Sequence, residues 1–437
     1  SIDGWKAPGV PGTVRGLELA HRKFGSRRWR SLIAPATRLA TNGFDISYEL
    51  ASSLKAASTR LGNDPESRRV FLRNPQPGRR LIQRDLGRTL ARIARLGSRG
   101  FYSGPTARTF AAQMKAHGGL ITAEDLEHYR AVEREPLRGR YREHEVITAP
   151  PPSSGGTGLL QMLGVLEGSG YEKAGFHSAR HIHFVTETMR RYYADRSEYM
   201  GDPDYFKVPL RSLLAPNYVG KLRKSIDRNR ATPSDRIRPG PHPAESTETT
   251  HFSIVDARGN AASLTYTLNG GYGSGVTVPG LGVLLNNEMD DFAARPGTPN
   301  MFGLVRGEAN AIQPGKRPLS SMTPTILTRD GKLFLVVGGP GGGRIITSVL
   351  QTVTNVVDFR MNIRDAVDAP RFHHQWKPDV LTLEPGISPD TVELLRSMGH
   401  KVEASASVAR IFAILVQPDG WLAGTADGRS YGKAVGY

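Results

Sequence analysis

Cysteine is absent from the 437-residue chain, which excludes disulfides, thiolate zinc sites and a cysteine nucleophile. Long apolar runs are absent too: no stretch approaches the ~20 residues that a bilayer-spanning helix needs. No signal-like segment opens the chain, and Ser1 in place of an initiator methionine reads as a processed or truncated start. Acidic residues are in deficit, with 41 Asp and Glu against 58 Lys and Arg and a formal net charge of +17. Such a balance fits nucleic acid, an acidic surface or anionic substrates. The basic residues are spread, however, and densest in the helical stretches 88–99 and 190–196. No aromatic-interleaved groove or recognition helix accompanies them, so they read as solvated surface and not as a nucleic-acid site. With 38% hydrophobic and 23% charged residues, the composition is that of a soluble globular chain, long enough for one large domain or two smaller ones.

What is present divides the chain in two. Residues 14–235 are mostly of helical period. "VRGLELAHRKFG", "DISYELASSLKAASTRLG", "QRDLGRTLARIARLG" and "ARTFAAQMKAHGG" carry apolar residues at helical spacing and end at glycine. "TAEDLEHYRAV" begins with Thr122 as N-cap. "HEVITAPPPSSGG" reads as a strand entering a loop, and two helices follow, "TGLLQMLGVLEG" and "HIHFVTETMRRYYADRSEYM". Residues 230–248 are rich in proline and charge and form an exposed connector. From Thr249 the period becomes two, with hairpins predicted to turn at 257–260, at Asp330-Gly331 and at Asp419-Gly420. The C-terminal half is therefore expected to be α+β, an antiparallel sheet with helices over its faces.

Four motifs carry candidate chemistry. Thr249 and Thr250 stand between the connector and a strand. Threonine suits strands, but cleavage after Glu248 would also give Thr249 a free α-amine, with a pKa near ~8, beside its hydroxyl. Such an amine is a built-in base for a poor nucleophile. "VVGGPGGGRIIT", residues 336–347, runs from strand through glycines into a helix. It lacks the lysine and hydroxyl of a phosphate loop, and Arg344 stands where a dinucleotide fold needs its third glycine. A tight turn and an oxyanion hole both remain open. "LLNNEMDDF", with Glu288, Asp290 and Asp291, reads either as a cation site, for a metal or a substrate ammonium, or as a solvated acidic turn. No histidine spacing supports a metal, since His373 and His374 are adjacent in an expected loop. Ser320 and Ser321 precede a strand, where a turn or cap is the ordinary role.

In this order the segments resemble the γ-glutamyltransferase (γ-glutamyl transpeptidase) family of self-processing N-terminal nucleophile hydrolases. The resemblance rests on "TTHFSIVDARGNAASLTYTLN", "LLNNEMDDF", "KRPLSSMTPT", "GGPGGGRIIT", "DAPRFHHQW", "GVPGTVRGLELA", "GGLITAEDL", "APPPSSGG" and "YADRSEYMGDPD" and covers nearly the whole chain. It implies a four-layer αββα sandwich. It also implies cleavage between Glu248 and Thr249 into a large-subunit region, 1–248, and a small-subunit region, 249–437. Thr249 would be the nucleophile, hydrogen-bonded by Thr267, and the Gly341 and Gly342 amides the oxyanion hole. Asn269, Glu288 and Asp291 would surround the substrate α-amino group, and Ser320 and Ser321 its α-carboxylate. Residues 296–303 resemble a lid loop, with Phe302 where tyrosine is common. The implied substrates are glutathione and related γ-glutamyl compounds, with water, amino acids or dipeptides as acceptors. The implied setting is periplasmic or secreted, with no metal or organic cofactor, no nucleic acid and no membrane span. The family also begins with a stretch before "GVPGTV" that bears a Phe-Arg-Glu motif, whose arginine pairs with the α-carboxylate. That motif is not found here: either the chain is a fragment, or another segment replaces the stretch, with an arginine such as Arg344 in its role. The alternatives are an amidase of the cephalosporin-acylase kind and an unprocessed, non-catalytic family member.

Overall fold

The structure, a computed structural model, describes residues 1–237, 249–293 and 307–436. Glu248 and the lid-like 296–303 segment lie outside the described residues. The chain forms two compact units, Ser1–Arg134 with Leu268–Asp290, and Glu135–Thr267 with Asp291–Tyr437. This division concerns packing; the 248/249 boundary concerns chain cleavage, and the two do not coincide.

The first unit is mainly helical. Thr13–Phe24, Arg84–Leu96 and Gly104–Ala116 form where the 3.6-residue period predicts them. Thr122 closes a capping box with Asp125, its hydroxyl accepting from the Asp125 amide at 3.1 Å. Trp29–Asn42 is a further helix that spans Pro35, although proline ordinarily ends a helical pattern. The core joins Phe101, Phe110 and Met114 to Val276, Val278 and Leu285. Arg88, Arg95 and Arg99 are exposed, as the solvated reading of 88–99 expects. Grooves of about 510 and 570 Å³ in this unit are lined by residues such as Arg30 and Arg95, and by none of the predicted site residues.

The second unit is built on a six-stranded antiparallel sheet. Its strand order is Leu422–Ala426, Phe412–Val416, Lys332–Gly338, Thr325–Arg329, His144–Thr148, Leu137–Tyr141. All three predicted hairpins form. Asp330 and Gly331 turn one of them with positive φ at both positions (51° and 73°). Alternation then sorts the faces. Leu335 and Val337 enter a core with the helices Gly155–Leu166, Ala179–Tyr199 and Arg344–Val357. Arg344–Val357 is rich in β-branched residues with modest helix propensity. It is helical because Ile345, Val349 and Val353 are fully buried, a packing gain that outweighs propensity. Gly338, of opposite parity, faces the hairpin Thr250–Val255/Ala261–Tyr266, so that face carries strands; the residue period alone placed helices there, whereas the resemblance implied a strand layer.

Two further expectations are corrected here. The basic run 190–196 is not solvated: Arg190, Arg191 and Arg196 are all buried. They lie on the core side of a helix whose period alone cannot tell a buried, partnered arginine from an exposed one. His373 ends a short strand instead of lying in the expected loop, while His374 follows it outside any strand or helix; both are buried.

Glu187, wholly buried, pairs with two of these arginines, and Arg190 has a second carboxylate partner in Asp379. Glu187 accepts from Arg190 at 3.0 Å and from Arg191 at 2.7 Å. Burial pushes its carboxyl up, but the two guanidiniums outweigh this and hold it below the usual carboxylate range. A depressed carboxylate stabilises the fold above its unfolded value of about 4.3, and the contribution is lost as pH falls through the lower folded value. Glu187→Ala leaves Arg190 with Asp379 but strips the buried Arg191 of its carboxylate, and is expected to cost about 3–5 kcal/mol. Urea unfolding at neutral pH measures it, and a midpoint within error of the parent chain would contradict it.

Candidate active site

Register places the threonine pair. In the hairpin Thr250 pairs with Tyr266 and His251 with Thr265. One step beyond the ladder the same register sets Thr249 opposite Thr267, and their hydroxyls meet at 3.4 Å. The hairpin is fixed to the sheet from within. Ser263 Oγ donates to the Val337 carbonyl and Ser253 Oγ to that of Phe412, each at 3.2 Å. His251 bonds Thr265 Oγ1 at 2.7 Å and Ser253 Oγ at 3.1 Å. Burial pushes its imidazole down to about 4, so it is a neutral bridge at pH 7. Position 338 has to be glycine, because a Cβ there would stand 2.3 Å from His251 Cε1. Running back from Ser253 through His251, the hairpin brings its Thr249 end to the end of the strand where the glycine loop begins.

In that loop Gly341 has φ +147° and Gly342 φ +56°. Their carbonyls accept from Arg344 N and Ile345 N, each at 3.1 Å, and start the Arg344–Val357 helix. The two amides have no protein acceptor among the described residues. Arg344 turns elsewhere, donating to the Ser407 carbonyl at 3.4 Å.

Ser320 and Ser321 are held against the "PPPSSGG" turn. Ser320 N donates to the Pro152 carbonyl at 3.0 Å, and Ser154 N to that of Ser320 at 2.8 Å. Asp291 ends a short turn, Glu288–Asp291, and its carbonyl accepts from Asn310 Nδ2 at 2.7 Å.

Asn269 and Glu288 lie in the first unit. Asn269, with φ +71°, donates from Nδ2 to the Asn287 carbonyl at 3.0 Å. Asn286 Oδ1 accepts from Glu288 N and from Gly9 N, both at 2.9 Å, which ties the "GVPG" segment to the acidic turn. Among the described residues no group of three or more His, Cys, Asp or Glu is placed to hold a metal.

The sequence profile of the Gamma-glutamyltranspeptidase family matches residues 1–437. The chain belongs to the gamma-glutamyltranspeptidase family. It is 48% identical over 435 residues to a glutathione hydrolase proenzyme of Escherichia coli (strain K12), covering 98% of this chain and 75% of that one. It is 37% identical over 440 residues to an acylase ACY 1 proenzyme of Pseudomonas sp. (strain SE83), covering 100% of this chain and 76% of the relative. In structure it resembles a cephalosporin acylase from Bacillus halodurans, with TM-score 0.88 and 28% identity over 99% of this chain and 79% of the other.

One residue of this gamma-glutamyltranspeptidase family member escaped the sequence reading. Arg196, 1% exposed, donates from Nη2 to Ser321 Oγ at 2.7 Å and from Nε to Ser154 Oγ at 2.8 Å. It falls in "YADRSEYMGDPD", which carried the resemblance without a role, and its charge was counted with the surface.

Proposed function

We propose that the chain is a γ-glutamyl hydrolase and transpeptidase with Thr249 as nucleophile, formed by its own cleavage between Glu248 and Thr249. In this reading Thr249 Oγ attacks the γ-carbonyl of glutathione or a related amide and its proton passes to the Thr249 α-amine. The carbonyl oxygen takes the negative charge facing the Gly341 and Gly342 amides. Collapse breaks the C–N bond, and the leaving amine takes the proton relayed by the α-amine. Water or an acceptor amine then displaces the γ-glutamyl ester and regenerates the hydroxyl. The Thr267 hydroxyl orients Thr249, and Asn269, Glu288 and Asp291 receive the substrate ammonium. The helix layer, six-stranded sheet and hairpin supply three layers of the four-layer αββα sandwich in this reading, and cleavage would leave subunits 1–248 and 249–437. A periplasmic or secreted setting belongs to this reading through the family resemblance, and no helix among the described residues is long and apolar enough to cross a membrane.

The observation that carries the reading is the meeting of the Thr249 and Thr267 hydroxyls at 3.4 Å, one residue before the strand Thr250–Val255. Release of p-nitroaniline from γ-glutamyl-p-nitroanilide tests it, together with a new N-terminus at Thr249. A second reading, hydrolysis of a cephalosporin-type side-chain amide, is favoured by the acylase relative and the acylase-like backbone. Asp291 separates the two, because an anionic carboxylate serves a substrate ammonium and not a neutral or acidic acyl chain. Asp291→Asn keeps the shape and removes the charge. It is expected to lower kcat/KM for the γ-glutamyl anilide by roughly 10–100-fold, the worth of a charge-assisted contact, while cleavage into two chains continues. An unchanged kcat/KM excludes this role for Asp291.

A further inference from the structure

Ser320 and Ser321 share a feature that neither a turn nor a cap explains. Each hydroxyl has one proton to give and lone pairs to receive. Ser320 Oγ receives the Met322 amide at 3.1 Å, and Ser321 Oγ receives Arg196 Nη2 at 2.7 Å. Among the described residues neither hydroxyl donates to a protein acceptor. Both are partly accessible. Two adjacent hydroxyls, each occupied as an acceptor and left with a proton to give, form a pair of donors waiting for an anion.

The cation behind them is unusual. Arg196 forms no ion pair among the described residues. Asp195, the next residue back, turns away, accepting from Tyr218 Oη at 2.7 Å and from Gln161 Nε2 at 2.9 Å. Arg190 and Arg191 on the same helix have Glu187, whereas Arg196 has only hydroxyls: Ser321 through Nη2 and, through Nε, Ser154, whose own proton goes to the Ser320 carbonyl at 2.7 Å. A buried charge without a counter-ion is costly to keep. One hydrogen-bond arm fills the acceptor side of Ser321, and the other fixes the backbone that presents Ser320.

We propose that Arg196 is a positioning residue whose buried charge sets Ser320 and Ser321 as donors and supplies the positive field for the substrate α-carboxylate. The proposal rests on the γ-glutamyl reading above. It gives that carboxylate a buried cation that acts through the two serines. A purely structural Arg196, tying the 153–154 turn to residues 320–321, would leave the enzyme indifferent to the charge of the α-substituent.

The test compares two substrates on the full chain: γ-glutamyl-p-nitroanilide with its free α-carboxylate, and the same anilide with a neutral α-carboxamide. Arg196→Gln is expected to raise KM for the carboxylate substrate at least tenfold and to change kcat/KM for the carboxamide less than twofold. Arg196→Lys, which keeps the charge, is expected to recover most of the preference for the carboxylate. Equal losses on both substrates, or no loss on either, overturn the proposal. So does a lysine variant that behaves like the glutamine variant. If Arg196→Gln does not fold, Ser321→Ala carries the same comparison, and a loss that ignores the α-substituent again overturns it. Wild-type turnover of the anilide is the control: an inactive wild type overturns the γ-glutamyl reading itself, whereas an active wild type with an indifferent Arg196→Gln overturns only the role of Arg196.

Discussion

Thr249→Ala is expected to yield one uncut chain on a denaturing gel and no detectable release of p-nitroaniline from γ-glutamyl-p-nitroanilide. One hydroxyl is asked to do two jobs. It attacks the carbonyl of Glu248 during self-cleavage, and later the γ-carbonyl of substrate. Both attacks need an oxygen at the same place, opposite Thr267 and at the end of the strand that leads into the glycine loop. Alanine keeps the strand start and removes the oxygen, so the fold should persist. A thermal midpoint near that of an uncut parent would show this. Thr249→Ser keeps an oxygen and is expected to retain cleavage, more slowly because serine's χ1 is less restricted than that of the β-branched parent. Normal two-chain processing of Thr249→Ala would remove Thr249 from the mechanism.

How much of this was legible before the structure depended on whether a signal was local. The hairpin turns were readable because Asp-Gly pairs answer a backbone demand, φ > 0, that few other residues meet. The Thr249–Thr267 contact was one step from legible, since the hairpin predicted at 257–260 fixes a register that sets them opposite each other. The helix Trp29–Asn42 went unread because Pro35 lies inside it. Period alone put helices over the faces of the sheet, because alternation in "KLFLVVGG" says that both faces are covered, not by what; a strand layer was implied only by the family resemblance. Buried ions were the least legible. "TMRRYYADR" on a helix looks like a wet basic face: Glu187 stands at ion-pair spacing before Arg190 and Arg191, but that spacing does not say the group is buried, and nothing local reveals that Arg196 reaches a serine 125 residues away. Charge in a sequence predicts a surface because most charge is there; whether a charged helix is buried depends on what packs against it from elsewhere in the chain.

Gly341→Ala is expected to reduce kcat by 10²–10³-fold while sparing the fold, the loss typical of one missing oxyanion donor. Two obstacles meet at this residue. Its φ of +147° is one that L side chains rarely adopt, and a Cβ there would stand 2.5 Å from the Cβ of Ala409. The Ala409 Cβ belongs to a well-buried residue and cannot swing aside, so the loop has to move, taking the Gly341 and Gly342 amides with it. Helix Arg344–Val357 begins immediately after and is anchored by its own buried face, which confines the displacement to the loop. KM should change less than kcat, because the amides act on charge that develops during attack and not on the bound ground state. Ala409→Gly in the same chain relieves the contact and leaves the backbone angle strained, so partial recovery of kcat is expected from the double variant. Self-cleavage develops the same kind of oxyanion at the Glu248 carbonyl. If it keeps its normal rate in Gly341→Ala while substrate turnover falls, the loop serves only the second reaction. If turnover itself is unchanged, the oxyanion hole lies elsewhere.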